Sequence, residues 1–273
     1  MVSEIPKASR GGVAPPSEEL LLREPGADGV LHLVMNRPEK RNALNGALVE
    51  SLTRALDQTA EDPDVRVLVL QGRGPDFCSG ADLAELEALA EQGVEASLAD
   101  ASRMGRLFLA MRRHPRPIVA AVHGRALAGG CGLATACDLI VAREDARLGF
   151  PEVHLGFVPA MVMTLLRRKV AEGHAFELVT LGKAIGAVEG HRIGLVNRVW
   201  SEEAFAEELL KLSGELASRP ASAIELTKRL LYGLDGLSVE EGIGRGAEVN
   251  TLARLTEACQ EGVRAFLDRK RRS

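Results

Sequence analysis

The sequence is poor in aromatic residues and lacks a CxxC cysteine motif, a long apolar run and an excess of positive charge. Aromatic residues make up 3% of the 273 residues, so the core must be built from aliphatic side chains and alanine. The net charge of -4 gives no global basic field for nucleic acid or an anionic membrane. We therefore predict that neither of these is a partner.

The cysteines predict no disulfide framework and no zinc site. Each stands among apolar or small residues, which is typical of buried free thiols in a reducing compartment. No apolar run approaches the ~20 residues that span a bilayer, and the first residues contain no apolar segment of the kind that signal peptides have. We predict a cytoplasmic protein in which residues 1–19 form a disordered N-terminal tail. The four cysteines are Cys78, Cys131, Cys137 and Cys259.

Hydrophobic periodicity divides the rest of the chain into an α/β core, residues 20–200, and a helical region, residues 201–273. In the core, short apolar runs alternate with amphipathic segments, which predicts parallel strands joined by right-handed crossovers. Predicted strands cover residues 29–35, 65–70, 118–122, 139–142 and 193–200, and predicted helices cover 46–60, 94–113, 161–170 and 173–181.

The helical region carries its own start signals. Ser201 is a predicted N-cap, and Ser238 with Glu241 matches a capping box. A single apolar stripe is predicted on one last long helix. The stripe consists of Leu252, Leu255, Cys259, Val263 and Phe266.

Two glycine turns are candidates for chemistry. Ser79-Gly80-Ala81-Asp82 and Ala128-Gly129-Gly130 each follow a predicted strand, and each could present a backbone N–H. Two such donors aimed at one carbonyl oxygen form an oxyanion hole, although turns of this kind also occur without any function.

Four motifs in order give the chain a resemblance to the enoyl-CoA hydratase/isomerase (crotonase) family over roughly residues 28–200. They are LVMNRPEKRNALN, GPDFCSGADL, ALAGGCGLATACDL and ARLGFPEVHLGFVP. The resemblance implies an α/β crotonase-type spiral of ββα units with a C-terminal all-helical trimerisation region. It also implies an acyl-CoA thioester substrate and assembly as a homotrimer or a dimer of trimers.

The resemblance also assigns roles to individual residues. The backbone N–H groups of Ala81 and Gly129 would form the oxyanion hole, and Glu152 would be the acid/base. The segment Ala81-Asp82-Leu83-Ala84 would line the substrate pocket. Cations near the CoA entrance, where they can meet phosphates, would be Arg37, Lys40 and Arg41.

The chain departs from the family at one catalytic position. Hydratases of the family use a second glutamate, three residues after the second oxyanion glycine, and this chain has Gly132 there. His154 would share a face with Glu152 if that segment were extended. The family's glycine cluster is replaced by the bulkier Pro159-Ala160-Met161-Val162-Met163, which puts the acyl-chain preference in doubt.

Three functions therefore remain open. Hydration of 2-enoyl-CoA leads, and isomerisation of 3-enoyl-CoA to 2-enoyl-CoA by Glu152 alone is the alternative. The third is a catalytically reduced binding protein, including an RNA-binding one, although the predicted helix 46–60 carries only Arg54 as a cation. No metal, nicotinamide or flavin is required, and coenzyme A is part of the substrate.

Overall fold

The computed structural model describes residues 19–272, so the predicted tail lies outside the described residues except for Glu19. The strands are β1 Leu21–Pro25, β2 Val30–Met35, β3 Val67–Gly72, β4 Ile118–Val122, β5 Arg125–Leu127, β6 Leu139–Arg143, β7 Arg147–Gly149, β8 Ile185–Gly186 and β9 Arg198–Trp200. The helices are α1 Gly46–Ala60, α2 Leu83–Glu91, α3 Val94–Arg113, α4 Gly129–Ala136, α5 Ala160–Leu166, α6 Glu172–Leu181, α7 Ala187–Arg192, α8 Glu202–Ala217, α9 Ala221–Gly233, α10 Val239–Leu255 and α11 Glu257–Arg272.

The larger sheet has six strands in the order β1-β2-β3-β4-β6-β9. Its first pair, β1 with β2, is antiparallel, and the other four pairs are parallel. The predicted parallel pairing is thus confirmed for the strands that alternate with helices. Both faces of this sheet are covered, which explains why β3 and β4 are almost wholly apolar.

The two faces are covered by different helices. Alternate residues of β3 point to opposite sides, so Leu68 packs with apolar residues of α1, α3 and α4, whereas Val67 and Val69 pack with Leu209 and Ala217 of α8. Helix α8, the first helix of the predicted helical region, therefore covers the second face of the six-stranded sheet.

The smaller sheet has three strands, in the order β5-β7-β8. β5 pairs with β7 in parallel and β7 pairs with β8 antiparallel. Parallel pairing brings the carboxyl ends of β5 and β7 to the same edge. There the chain continues into the second glycine turn after β5 and into Glu152 after β7.

Two predicted caps in the helical region are confirmed. The Ser201 side chain accepts a hydrogen bond from the Ala204 N–H, and Ser238 and Glu241 form both hydrogen bonds of a capping box. Helix α9 is held against the sheet by one partly buried carboxylate, Asp138, which accepts hydrogen bonds from Lys228 Nζ at 2.7 Å and Tyr232 Oη at 2.6 Å.

Three predictions of local structure were wrong in extent. In 193–200 only Arg198–Trp200 is a strand, because Gly194 has φ +87° and turns the chain after α7. The helix predicted over 161–170 ends at Leu166. The single last helix is two helices, because Thr256, with ψ 142°, separates α10 from α11.

Candidate active site

The first candidate oxyanion donor, the N–H of Ala81, is oriented by a parallel bridge to Leu44. The Leu44 N–H donates to the Gly80 carbonyl at 2.7 Å, and the Asp82 N–H donates to the Leu44 carbonyl at 2.9 Å. In a parallel bridge, one residue uses both its backbone groups on the neighbours of its partner. The N–H of Ala81 therefore points away from Leu44.

The second donor, the N–H of Gly129, lies at the start of α4. The preceding residue, Ala128, has φ 48° and ψ -127°, a sparsely populated conformation for a non-glycine residue. Its N–H donates to the Gly149 carbonyl at 2.9 Å, which ties this turn to the end of β7. Because Gly129 is the first residue of the helix, its N–H has no acceptor within the helix.

The two donors are neighbours in space. A Cβ atom at Gly129 would lie 3.8 Å from the Ala81 nitrogen. Gly80 makes this approach possible, since it has φ +106° and a Cβ there would lie 2.8 Å from the Ala128 Cβ. In the part of the chain that the structure describes, neither N–H donates to a protein oxygen. The predicted pair of glycine turns thus comes together with two unused donors.

Glu152 lies on a 3-10 helix, Pro151–Leu155, immediately after the end of β7. Only 8% of the residue is exposed, and Oε2 has no hydrogen-bond partner among residues 19–272. Burial raises the pKa of this carboxyl group above its ordinary value, because the charged form loses its hydration. Its charge also contributes, after burial, to raising the pKa of the Cys131 thiol on helix α4 to about 12.

An apolar wall occupies the space beside Gly132, where the family's hydratases carry the second glutamate. A Cβ atom at Gly132 would lie 3.2 Å from Val162 Cγ2 and 3.3 Å from Phe108 Cζ. Both of these side chains are buried. Where the family's hydratases have a glutamate side chain, this chain therefore has the side chains of Phe108 and Val162 packed against Gly132. We call Phe108 and Val162 the Gly132 wall.

Two apolar side chains lie close to the second candidate donor. The Leu44 Cδ1 lies 3.6 Å and the Met104 Cε lies 3.8 Å from the position of a Cβ at Gly129. Met104 precedes Phe108 by one turn of α3, so this helix presents one apolar stripe to the site. Sequence reasoning did not name these residues. Their signal was the helical spacing of Met104, Phe108 and Met111.

The predicted substrate-lining segment lies at the start of α2. Asp82 precedes the helix, and Leu83 and Ala84 begin it, with Leu83 58% exposed. This leucine offers accessible apolar surface two residues after Ala81. The roles of these three residues toward substrate stay predictions.

The three cations predicted at the CoA entrance have different environments. The Arg37 side chain is 11% exposed and pairs with Asp82, with 3.0 Å between Nη2 and Oδ2. Lys40 is exposed at the end of a short 3-10 helix. The Arg41 side chain is 57% exposed and its Nε lies 4.0 Å from Asp76 Oδ2. Lys40 and Arg41 are thus accessible to a phosphate, whereas Arg37 already has protein partners.

His154 does not share a face with Glu152 as proposed for an extended segment. The 3-10 helix turns the chain here, and the His154 Nε2 lies 3.3 Å from the Gly182 carbonyl oxygen. Among the described residues, no group of three or more His, Cys, Asp or Glu side chains could hold a metal ion. No helix within residues 19–272 is long and apolar enough to cross a membrane.

Comparison with known proteins identifies the family. The sequence profile described as Enoyl-CoA hydratase/isomerase matches residues 26–273. The chain belongs to the enoyl-CoA hydratase/isomerase family. It is 43% identical over 236 residues to a Thermus thermophilus protein provisionally named an enoyl-CoA hydratase, covering 86% of this chain and 93% of that one.

Further members of the family are similar in sequence and in structure. The Escherichia coli 2,3-dehydroadipyl-CoA hydratase is 36% identical over 242 residues, which is 88% of this chain and 93% of that protein. The crystal structure of an enoyl-CoA hydratase of Mycobacterium smegmatis matches with a TM-score of 0.88 at 34% identity, covering 92% of this chain and 97% of that one. The crotonase fold implied by the sequence motifs is therefore confirmed.

Proposed function

We propose that this member of the enoyl-CoA hydratase/isomerase family hydrates a 2-enoyl-CoA with Glu152 as the acid/base. The observation that carries the proposal is that the Glu152 carboxyl group is buried and has one oxygen without a partner. Glu152 follows strand β7, whose last residue, Gly149, accepts a hydrogen bond from the turn that precedes Gly129. A carboxyl group that is costly to ionise, with one oxygen that has no partner among residues 19–272, is suited to exchanging a proton with a substrate.

The residues divide the reaction between them. The thioester carbonyl oxygen accepts hydrogen bonds from the N–H groups of Ala81 and Gly129. Glu152 takes a proton from a water molecule as the water oxygen bonds to C3, and the electron pair of the double bond moves to the carbonyl as an enolate. Glu152 then returns the proton to C2, which completes the addition of water. Each fixed donor contributes about 3 kcal/mol to stabilising such an oxyanion.

Isomerisation is the second candidate, and the Gly132 wall favours it. Hydration has to hold a water molecule beside C3, and a second carboxylate normally shares that work in the family. Here Phe108 and Val162 lie at that position. In isomerisation, Glu152 removes a proton from C2 of a 3-enoyl-CoA and returns it to C4, so that one base suffices and no water is needed.

Binding of the CoA moiety is proposed to use the exposed Lys40 and Arg41, which can meet its phosphates. The proposed pocket-lining residues are Asp82, Leu83 and Ala84, which follow Ala81. A homotrimer or a dimer of trimers and a cytoplasmic location remain predictions of the sequence. No further cofactor takes part in the proposed chemistry.

The test is to incubate the protein with crotonyl-CoA and, separately, with a 3-enoyl-CoA, and to follow thioester absorbance and product mass. Gain of one water from crotonyl-CoA supports hydration, whereas conversion of the 3-enoyl-CoA without a change of mass supports isomerisation. Turnover of neither substrate, with CoA ester binding intact, would contradict both and favour a binding protein.

The Glu152→Gln variant tests the acid/base directly. We expect kcat to fall by roughly 10²–10⁴-fold, because the amide cannot exchange the proton, while the acyl-CoA still binds. Glu144→Gln is the matched control, since Glu144 is an exposed glutamate after β6. Near-normal activity of Glu152→Gln would remove Glu152 from the mechanism.

A further inference from the structure

The side chain of Arg37 joins two chain segments that are far apart in sequence. Its Nη2 donates to Asp82 Oδ2 at 3.0 Å, and its Nη1 donates to the carbonyl oxygen of Ala43. With 11% of the Arg37 side chain and 18% of the Asp82 side chain exposed, water competes little for these hydrogen bonds. The pKa of Asp82 is lowered, mainly by the hydrogen bond from Arg37, so that the carboxylate stays charged.

The two acceptors of Arg37 lie on either side of the bridge that orients the first oxyanion donor. Ala43 directly precedes Leu44, and Asp82 directly follows Ala81. The bridge itself is isolated and consists of two backbone hydrogen bonds. A pairing this short constrains the orientation of the Ala81 N–H only weakly. The planar guanidinium of Arg37 binds both segments at once and therefore adds a second constraint.

The backbone of Arg37 is itself held in place. Its N–H donates to Asn42 Oδ1 at 2.9 Å, and its carbonyl accepts from the Asn42 N–H at 2.9 Å. The buried Asn42 side chain in turn donates to the carbonyls of Arg73 and Asp76, each at 2.9 Å. Arg37 is therefore a fixed point from which the guanidinium can set the position of Asp82.

We propose that Arg37 is a positioning residue, which acts through Asp82 and Ala43 to aim the Ala81 N–H at the thioester oxygen. The inference rests on the proposed function of Ala81 as an oxyanion donor. It gives Arg37 a different role from its neighbours Lys40 and Arg41, which stay available for CoA phosphates. Because the donor matters most when charge develops on the oxygen, loss of Arg37 lowers kcat more than it weakens binding.

The test compares Arg37→Met and Arg37→Lys, with Arg143→Met as the matched control. Arg143 is also partly buried and is paired with acidic residues, Asp145 and Glu202, but it lies at the end of β6 outside the proposed site. We expect both Arg37 variants to lower kcat roughly 10–100-fold, since a mis-aimed donor loses part of the 10²–10³-fold effect of a whole donor. KM should stay within about threefold of wild type, and Arg143→Met should change neither.

A spectroscopic readout reports on the donor itself. The absorption band of a bound cinnamoyl-CoA moves to longer wavelength when its carbonyl oxygen accepts hydrogen bonds, and this shift should shrink in both Arg37 variants. Asp82→Ala should reproduce the loss, and the double variant with Arg37→Met should be no worse than the more impaired single variant. If Arg37→Met does not fold, Arg37→Lys and Asp82→Ala decide by the same measurements.

Three results would overturn the inference. The first is a normal kcat and a normal band shift in folded Arg37→Met. The second is a raised KM with unchanged kcat in Arg37→Met that Arg37→Lys restores, which would make Arg37 a contact for CoA phosphate. The third is a wild-type protein that binds cinnamoyl-CoA without any band shift, which would remove the oxyanion hole and the proposed function together. The first two results leave the proposed function standing.

Discussion

Replacing Gly132 with glutamate would add the carboxylate that the family's hydratases carry, but the space beside this residue is filled. The new Cβ would lie 3.2 Å from Val162 Cγ2 and 3.3 Å from Phe108 Cζ, so the wall would have to move. We therefore predict that Gly132→Glu alone lowers stability and does not raise hydratase activity.

The expected loss of stability follows from three contributions. Overpacking a buried site costs about 1–3 kcal/mol, and a buried carboxyl group without a partner costs roughly 1–3 kcal/mol more. Glycine is about 1 kcal/mol worse than a good helix former inside a helix, so the glutamate recovers that amount in α4. The free energy of unfolding should thus fall by about 1–5 kcal/mol. Urea unfolding followed by circular dichroism measures this change.

Relieving the wall should change the outcome. In Gly132→Glu/Val162→Ala the carboxyl group has room to face the site, so the two substitutions should couple favourably by about 0.5–3 kcal/mol. Hydration of crotonyl-CoA should then be faster than in Val162→Ala alone. Full stability of Gly132→Glu would refute the packing argument. A stable double variant without faster hydration would refute the idea that the missing carboxylate limits the reaction.

Three further predictions concern titratable groups. The kcat/KM for the proposed reaction should decline toward low pH, because Glu152 must be ionised to act as a base. The midpoint of this decline should lie above pH 4.5, since burial raises the pKa of Glu152 from 4.5. A midpoint at or below pH 4.5 would contradict this prediction. Burial lowers the pKa of His114 from 6.5 to about 4, so the unfolded chain binds a proton between these values that the folded chain does not. Stability should therefore fall by about 3 kcal/mol as the pH drops through that window, and urea unfolding of His114→Gln should lack this part of the loss. Lys228→Met should lower the free energy of unfolding by about 3 kcal/mol, because the partly buried Asp138 carboxylate then lacks its cation. Thermal unfolding of this variant at the wild-type temperature would argue that the hydrogen bonds from Tyr232 and the Ile118 N–H suffice.

The sequence predicted accurately those helices that have both a regular apolar spacing and a clear start or stop signal. Helices α1 and α3 have the predicted bounds, because each combines apolar spacing with a clear start or stop. In α1 the Asn45 side chain caps the first turn by accepting from the Leu48 N–H, and His114-Pro115 ends α3. The apolar run at 193–200 misled for the opposite reason. Its apolar residues pack against the core from an irregular segment, not from a strand.

The site was only partly predictable for a similar reason. The glycine turns and Glu152 were visible as motifs, but the bridge that orients Ala81 joins residues 37 positions apart in sequence, Leu44 and Ala81. The two residues of the Gly132 wall likewise lie on separate helices, α3 and α5, which only the folded chain brings against Gly132 of α4. The missing glutamate could be read from the sequence. The side chains that fill the space beside Gly132 could not be predicted, because they come from segments that no single motif contains.

The proposed oxyanion hole and the proposed acid/base place different demands on the sequence. Two backbone N–H groups would supply the proposed hole, and their position depends on Gly80, on the strained Ala128 and on the segments that hold the bridge. In the proposed reactions, the side chains of Glu152 and around Gly132 determine instead where a proton and a water molecule can go. We therefore expect a glutamate at Gly132, once Val162→Ala has relieved the wall, to favour hydration over isomerisation without disturbing enolate stabilisation. A change at Arg37 would weaken both reactions alike, and measuring both in the same variants separates the two kinds of residue.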